Sequence, residues 1–281
     1  MKLRDELTLV INTCDAYSDL WEMYFSALNE YWPNRSINVV LNTECKKDFG
    51  FKEVDISIHN SDSKNWGERL LSTLSDINTE YIFMVYDDFI IEEAFDESIL
   101  VDIVDWMSKD NSISAFYLVV MGLVGVGEST PYEGFSLIEP HADYRLNSAP
   151  GIWRKRDLAL FTGEQDSPWA WEVFGTYKTQ KELRSFYQST SKDFYSYNSS
   201  KGGAIYRGKW VRDVVVDKAK KYCLNIDFTK RGFSSDFEFE KRSLGWKIKF
   251  LWTGYRMVGL DVFRFIFRAM ALKVSTILHK N

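Results

Sequence analysis

Four short apolar runs, each closed by polar or acidic residues, limit the possible folds of this chain more than any other feature. Residues 7–11, INVVL (37–41), VDISI (54–58) and YIFMVY (81–86) read as strands. Between the first two, residues 18–32 carry Leu20, Trp21, Tyr24, Phe25, Leu28, Tyr31 and Trp32 at helical spacing until Pro33 ends the pattern. A second helix is expected over 66–77, and a short helical or looped link near FGF (49–51). Alternation of this kind predicts an α/β fold with a mostly parallel sheet flanked by helices. Such sheets bind ligands outside the carboxyl ends of their strands, and here those ends read NTCD (12–15), NTE (42–44), HN (59–60) and DD (87–88).

The last of these ends places Asp87 beside Asp88 directly after a buried run. Two like charges about 4 Å apart repel by roughly 1 kcal/mol in water and roughly 4 kcal/mol at an effective dielectric near 20, so the pair calls for a positive partner. No G-x-G-x-x-G follows the first strand and no G-x-x-x-x-G-K-[ST] occurs, so neither phosphate cradle is supported. Mg²⁺ or Mn²⁺ held by Asp87 and Asp88 would supply the charge and leave positions open for a substrate diphosphate.

Past residue 110, ISAFYLVVM (113–121) reads as a fifth strand, and Pro150-Gly151 as the opening of a short amphipathic helix over 154–161. SPWAWE (167–172) offers a Ser-Pro helix start, Trp169, Trp171 and Glu172. GAIYRGKW (203–210) is strand-like and carries Arg207 and Lys209. Cys14, Cys45 and Cys223 are odd in number and form no C-x-x-C pair, which supports neither a disulfide framework nor a zinc ribbon and suits a reducing compartment. Asp5 and Glu6 precede the first apolar run, unlike a signal peptide, so a cytoplasmic start is expected.

Charge divides the chain unevenly. Residues 241–281 hold nine lysines and arginines against one acid, Asp261, a net +8 in a chain of net −5, which leaves −13 for the rest. An acidic body argues against a nucleic-acid groove. In the tail, Asp261, Arg264, Arg268 and Ser275 share one stripe, and Phe263, Phe267, Met270, Val274 and Ile277 cover much of the rest. That reads as a basic amphipathic helix, lying on an anionic membrane or packing on the main domain or a second copy.

The segments NTCDAYSDLW, VVLNTE, NWGERLLSTLSDINTEYIFMVYDDF, APGIWRKRDLALF, SPWAWE and RGKW, in this order over about residues 7–210, resemble bacterial glycosyltransferases of the GT-A type, in particular those of capsule and O-antigen polysaccharide synthesis. The resemblance implies a Rossmann-like catalytic domain over 1–240, with a donor half over about 1–110 and an acceptor half over about 111–240. A nucleotide-sugar, with a UDP-sugar favoured, would bind the first half, and a saccharide or lipid-linked saccharide acceptor the second. Thr13 and Asp15 would lie by the nucleoside, and Trp66 and Arg69 near the ribose or diphosphate, although Trp66 equally fits core packing and Arg69 a solvated surface. Arg207 or Lys209 would add charge at the diphosphate.

The family's acidic motif is D-x-D, whereas this chain has Tyr86-Asp87-Asp88. Matching by the last carboxylate makes Asp88 the direct metal ligand and Asp87 a supporting or ribose-facing group, with His141 a possible additional ligand. Glu172 is the expected general base of an inverting transfer, its pKa lowered by a position near the helix start. Trp169 and Trp171 would face the acceptor sugar, or belong to the core. A catalytically silent sugar-binding or assembly subunit is the alternative. A nucleotidyltransferase is disfavoured, because NTCDAYSD lacks the glycine-rich basic loop of that class.

Overall fold

A computed structural model describes residues 2–46, 56–123, 126–198, 200, 202–234 and 243–278. Its centre is a nine-stranded sheet in the order β3-β2-β1-β4-β8-β5-β9-β7-β6. The strands are β1 (Leu7–Asn12), β2 (Asn38–Thr43), β3 (Ile56–Asn60), β4 (Tyr81–Tyr86), β5 (Ile113–Tyr117), β6 (Val126–Ser129), β7 (Phe135–Ile138), β8 (Gly151–Arg154) and β9 (Ser185–Ser189). β1 pairs in parallel with β2 and with β4, in registers that set Asn12 opposite Asn42 and Tyr86, and β2 pairs in parallel with β3. β1 is buried along its whole length, which is why it reads as a continuous apolar run rather than an alternating one.

Helices cover both faces. They are α1 (Leu3–Glu6), α2 (Trp21–Tyr31), α3 (Trp66–Asp76), α4 (Ser98–Lys109), α5 (Lys155–Phe161), α6 (Pro168–Ala170), α7 (Thr176–Thr179), α8 (Arg212–Lys221), α9 (Leu244–Val258) and α10 (Val262–Leu278). One core gathers Leu9, Ile11, Phe25, Leu28, Phe83 and Ile103 on one side of the sheet. The other gathers Val10, Leu70, Met84, Trp153, Leu158 and Trp171. Burying each large aliphatic side chain contributes about 1.5–3 kcal/mol.

Three expectations need correction. Pro150-Gly151 opens a strand, not a helix: all four residues of β8 are buried, and they pair antiparallel with both β4 and β5. The helix begins one residue after the expected start, at Lys155. The fifth strand stops at Tyr117, because the Leu118 and Val120 N–H groups turn away to the Pro150 carbonyl and the Asp193 carboxylate. The 203–210 segment is a hairpin of β10 (Ile205–Tyr206) and β11 (Lys209–Trp210), turning through Arg207 and Gly208, both at positive φ. The link near FGF and the first two residues of VDISI lie outside the described residues.

The tail forms two helices rather than one. A closing turn at Gly259–Asp261 joins α9 to α10, and Phe250, Leu251, Met257, Val258, Val262 and Phe265 pack against Ala170, Val173 and Phe174 of the main domain. Among the described residues no helix is long and apolar enough to cross a membrane.

Candidate active site

β4 ends at Tyr86, and Asp87 and Asp88 fall in the next turn, closed by the Phe89 N–H on the Tyr86 carbonyl at 3.1 Å. The turn sends the two carboxylates to different places. Asp87 is 2% exposed and accepts the Thr13 hydroxyl, and its own N–H reaches the Asn12 carbonyl at 3.3 Å, so it is stitched to the end of β1. The Trp21 indole N–H donates to the same Thr13 hydroxyl at 2.7 Å. Burial, with the charge of Asp88 added, holds the Asp87 carboxyl well above the usual carboxylate range.

Asp88 is half-buried and takes no hydrogen bond from another side chain among the described residues. Burial raises its pKa to about 7. Its backbone carbonyl anchors the approach to the β10–β11 hairpin by accepting the Ala204 N–H at 2.8 Å. Gly203, at φ +99°, lies so close that an added Cβ would sit 2.7 Å from that carbonyl oxygen, so only glycine fits there.

Glu172 comes from the helical run after α5 and reaches the loop that leads into β8, the neighbour of β4. Ser167 caps its helix by accepting the Ala170 N–H at 3.4 Å, with Pro168 at the first position, as the Ser-Pro signal predicts. After one turn the backbone widens into a π-helix over Trp171–Gly175 and then continues as α7. Glu172 is thus the fifth residue of the run, past the free N–H groups of the first turn, and the expected lowering of its pKa is overturned. Burial raises the Glu172 carboxyl, against the opposing bond from the Ser148 N–H, which it accepts at 2.6 Å.

That bond also fixes the loop leading into β8. The Leu146 N–H donates to the Thr176 hydroxyl at 3.1 Å, and the Tyr117 hydroxyl donates to the Arg145 carbonyl at 2.7 Å while accepting the Asn147 N–H at 3.0 Å. An ionised carboxylate has about four acceptor sites, so the Ser148 bond leaves Glu172 with capacity for a substrate hydroxyl.

Two tyrosines feel the charges of both carboxylates. Burial raises the phenol of Tyr197, and the charges of Asp88 and Glu172 both add to the effect. Burial likewise raises Tyr86, again with Glu172 and Asp88 contributing. A third, Tyr17, is raised by burial and by Asp88, while Arg231, stacked 4.7 Å over its ring, opposes. Asp88, just after β4, and Glu172, bonded to the loop that leads into β8 beside β4, therefore act on the same pair of tyrosines. Tyr17, Ser148, Tyr197 and Arg231 went unread in the sequence: Tyr17 lies inside a quoted segment but was not singled out, and the other three come from loops whose course only the tertiary fold sets.

For a metal, the donor set is narrower than expected. Among the described residues no group of three or more His, Cys, Asp and Glu side chains is arranged to hold an ion. His141 is corrected: it is exposed, its carbonyl accepts Arg268 at 3.0 Å, and it lines a surface cleft with Glu139, Asp143 and Tyr144. Asp87 is buried and its Oδ2 accepts the Thr13 hydroxyl, whereas Asp88 is a hard oxygen donor that takes no hydrogen bond from another side chain among the described residues. Mg²⁺ and Mn²⁺ sites commonly use one or two carboxylates plus substrate phosphates and water.

The remaining expected residues divide between rim and core. Arg69 is buried, not solvated: it donates to the Thr13 carbonyl at 3.2 Å and the Ser63 carbonyl at 3.0 Å and pairs with Glu44 at 3.4 Å. The Asp15 carboxylate accepts from Lys46 and Cys45 N–H and the Thr43 hydroxyl, which outweigh burial and lower its pKa. It holds the loop after β2 rather than projecting to a ligand. Trp66 and Trp171 are core residues, with ring centroids 5.6 Å apart, and Trp171 lies equally close to Trp153. Trp169 is 42% exposed and stacks on Trp246 and Phe250 of α9, at 4.7 and 4.1 Å, with those two rings only 5.1 Å from each other. Arg207 and Lys209 are exposed at the hairpin.

No family model and no curated protein matches this sequence. Among solved structures, the chain is similar to S. aureus TarS 1–349, with a TM-score of 0.50 at 15% identity over 92% of this chain and 82% of that one. The complex of TarS 1–349 with UDP gives 0.49 at 16% identity over the same shares. The mannosyltransferase PcManGT from Pyrobaculum calidifontis, in complex with GDP-Man and Mn²⁺, gives 0.48 at 12% identity over 99% of this chain and 79% of that one. With the sheet order and the antiparallel strand β8 between β4 and β5, the likeness to TarS 1–349 makes the fold a Rossmann-like α/β sheet of the GT-A type.

Proposed function

We propose that this chain is a nucleotide-sugar-dependent glycosyltransferase of the hexosyltransferase type. It takes a UDP-sugar as donor and a saccharide, lipid-linked in surface polysaccharide synthesis, as acceptor, and inverts the anomeric centre. The donor sits on residues 1–110 and the acceptor on 111–240. The observation that supports this reading is that Asp88 follows β4 while Glu172 is bonded to Ser148 in the loop entering the neighbouring β8, whose Gly151 lies opposite Met84, with the charges of both carboxylates acting on Tyr86 and Tyr197.

Glu172 takes the proton from the acceptor hydroxyl, whose oxygen forms the new bond to the anomeric carbon as the bond to the diphosphate breaks and its electron pair leaves with the diphosphate. Burial keeps the Glu172 proton affinity above that of an ordinary glutamate, which makes it a stronger base than a solvated one. The Ser148 N–H fixes the carboxylate's orientation. Asp88 would hold Mn²⁺ or Mg²⁺, which would neutralise the departing diphosphate. Asp87 holds the turn that aims Asp88.

The test is a panel of UDP- and GDP-sugars with saccharide acceptors, with and without Mn²⁺, read by nucleoside diphosphate release and product anomer. Metal-dependent release with an inverted product is expected. Ligand-induced thermal stabilisation without release from any donor would favour the silent sugar-binding subunit, and the absence of both responses would overturn the proposal.

A further inference from the structure

The helix pair α9–α10 is held to the domain by one face of each helix and leaves the opposite face apolar and uncovered. On α9 the packed face carries Phe250 and Gly254, and a Cβ at Gly254 would meet the Phe174 ring at 2.5 Å. On α10 it carries Val262 and Phe265, and Arg268 fastens the same helix to Asp143 at 3.1 Å. Turned away from these contacts, at spacings of three and four residues, are Ile248, Trp252 (61% exposed) and Tyr255 on α9, and Phe263, Phe267 (67% exposed) and Met270 on α10. Two rows of exposed large apolar side chains, one on each of two consecutive helices, mark an interaction surface rather than scattered surface hydrophobes.

We propose that this face binds the surface of an anionic lipid bilayer, with α9 and α10 lying in the headgroup plane. Charge selects the occupant. Lys247, Lys249 and Arg256 are exposed beside the α9 row and make no ion pair among the described residues, in a tail of net +8. Self-association through a two-fold axis would set this basic patch against itself. Anionic headgroups complement it instead, each Lys or Arg near such a surface adding about 1 kcal/mol, while Trp252 and Tyr255 suit the interface between headgroups and acyl chains. The proposal does not depend on the catalytic reading and can fail or hold without it.

The experiment is flotation of the full chain with vesicles of phosphatidylcholine alone and of phosphatidylcholine with phosphatidylglycerol, beside sedimentation velocity without lipid. Recovery with the anionic vesicles, weakening with salt and absent from neutral ones, is expected. Trp252→Glu with Phe267→Glu should abolish it, and Lys247→Glu with Lys249→Glu should lower partitioning by about tenfold or more. Both pairs are exposed, so unchanged circular dichroism and thermal midpoint should accompany the loss. Failure of the wild-type chain to float with anionic vesicles overturns the proposal, as does a lipid-independent dimer that Trp252→Glu with Phe267→Glu dissociates.

Discussion

Thr13 donates its hydroxyl to the buried carboxylate of Asp87, tying the end of β1 to the turn after β4. The same hydroxyl accepts the Trp21 indole N–H, so α2 is joined to that corner as well. Replacing Thr13 with valine removes one hydrogen bond from the buried carboxyl, which keeps the Trp21 side chain as a partner. Losing a hydrogen bond at a buried polar group costs about 1–3 kcal/mol, so Thr13→Val should lower the unfolding free energy measured in urea by about that amount. A midpoint within error of wild type would show that the corner does not rest on this bond.

Asp88→Asn should leave the fold intact and remove most metal-dependent turnover. Asparagine relieves the repulsion on Asp87, so the thermal midpoint should stay level or rise. Loss of a positioned electrostatic group typically costs about 10² to 10³ in rate. Full Mn²⁺-stimulated activity in this variant would mean that Asp88 does not hold the ion.

Glu172→Gln keeps an acceptor for the Ser148 N–H and removes the ionisable proton site. Turnover should fall by about 10² to 10⁴ with little change in nucleotide-sugar affinity. Burial raises the Glu172 pKa above the usual value for the residue, and the base must be ionised. Wild-type activity should therefore fall as pH drops through that raised value, and the Gln variant should lack the acid limb. For stability the sign reverses: the protonated form is favoured in the folded protein at low pH, and that advantage is lost as pH rises through the folded pKa. At neutral pH the Gln variant should then unfold at the same midpoint as wild type or higher.

Gly254→Ala would push a methyl group into the Phe174 ring, two residues from Glu172 on the same helical run. Overpacking of this kind costs about 1–3 kcal/mol. The thermal midpoint should fall accordingly, and kcat should fall more than KM because the displaced helix carries the base. An equal change in both, or none, would separate the tail's packing from the chemistry.

Much of the amino-terminal half was legible because β1, β2 and β4 are fully or largely buried and write themselves as apolar runs with polar ends. The acidic pair was legible for the same reason. β8 was not, since Gly151–Arg154 is short and its strand character comes only from lying between β4 and β5. Trp171 and Trp169 look alike in sequence, yet one fills the core and the other stacks on α9, a distinction set by contacts with distant segments. Glu172 could be found from its helix-start signal, but the direction of its pKa could not, because burial depends on the loop at Ser148 and on the sheet behind it.

The π-turn over Trp171–Gly175 amounts to one residue inserted into an otherwise continuous helix. Deleting a residue there would restore α-helical register and rotate everything beyond it by about 100°. Thr176 would swing off Leu146, and the surface that receives α9 and α10 would turn relative to Glu172. Point substitutions can weaken one face of this helix at a time, whereas a one-residue deletion would uncouple the carboxylate from the tail in a single step.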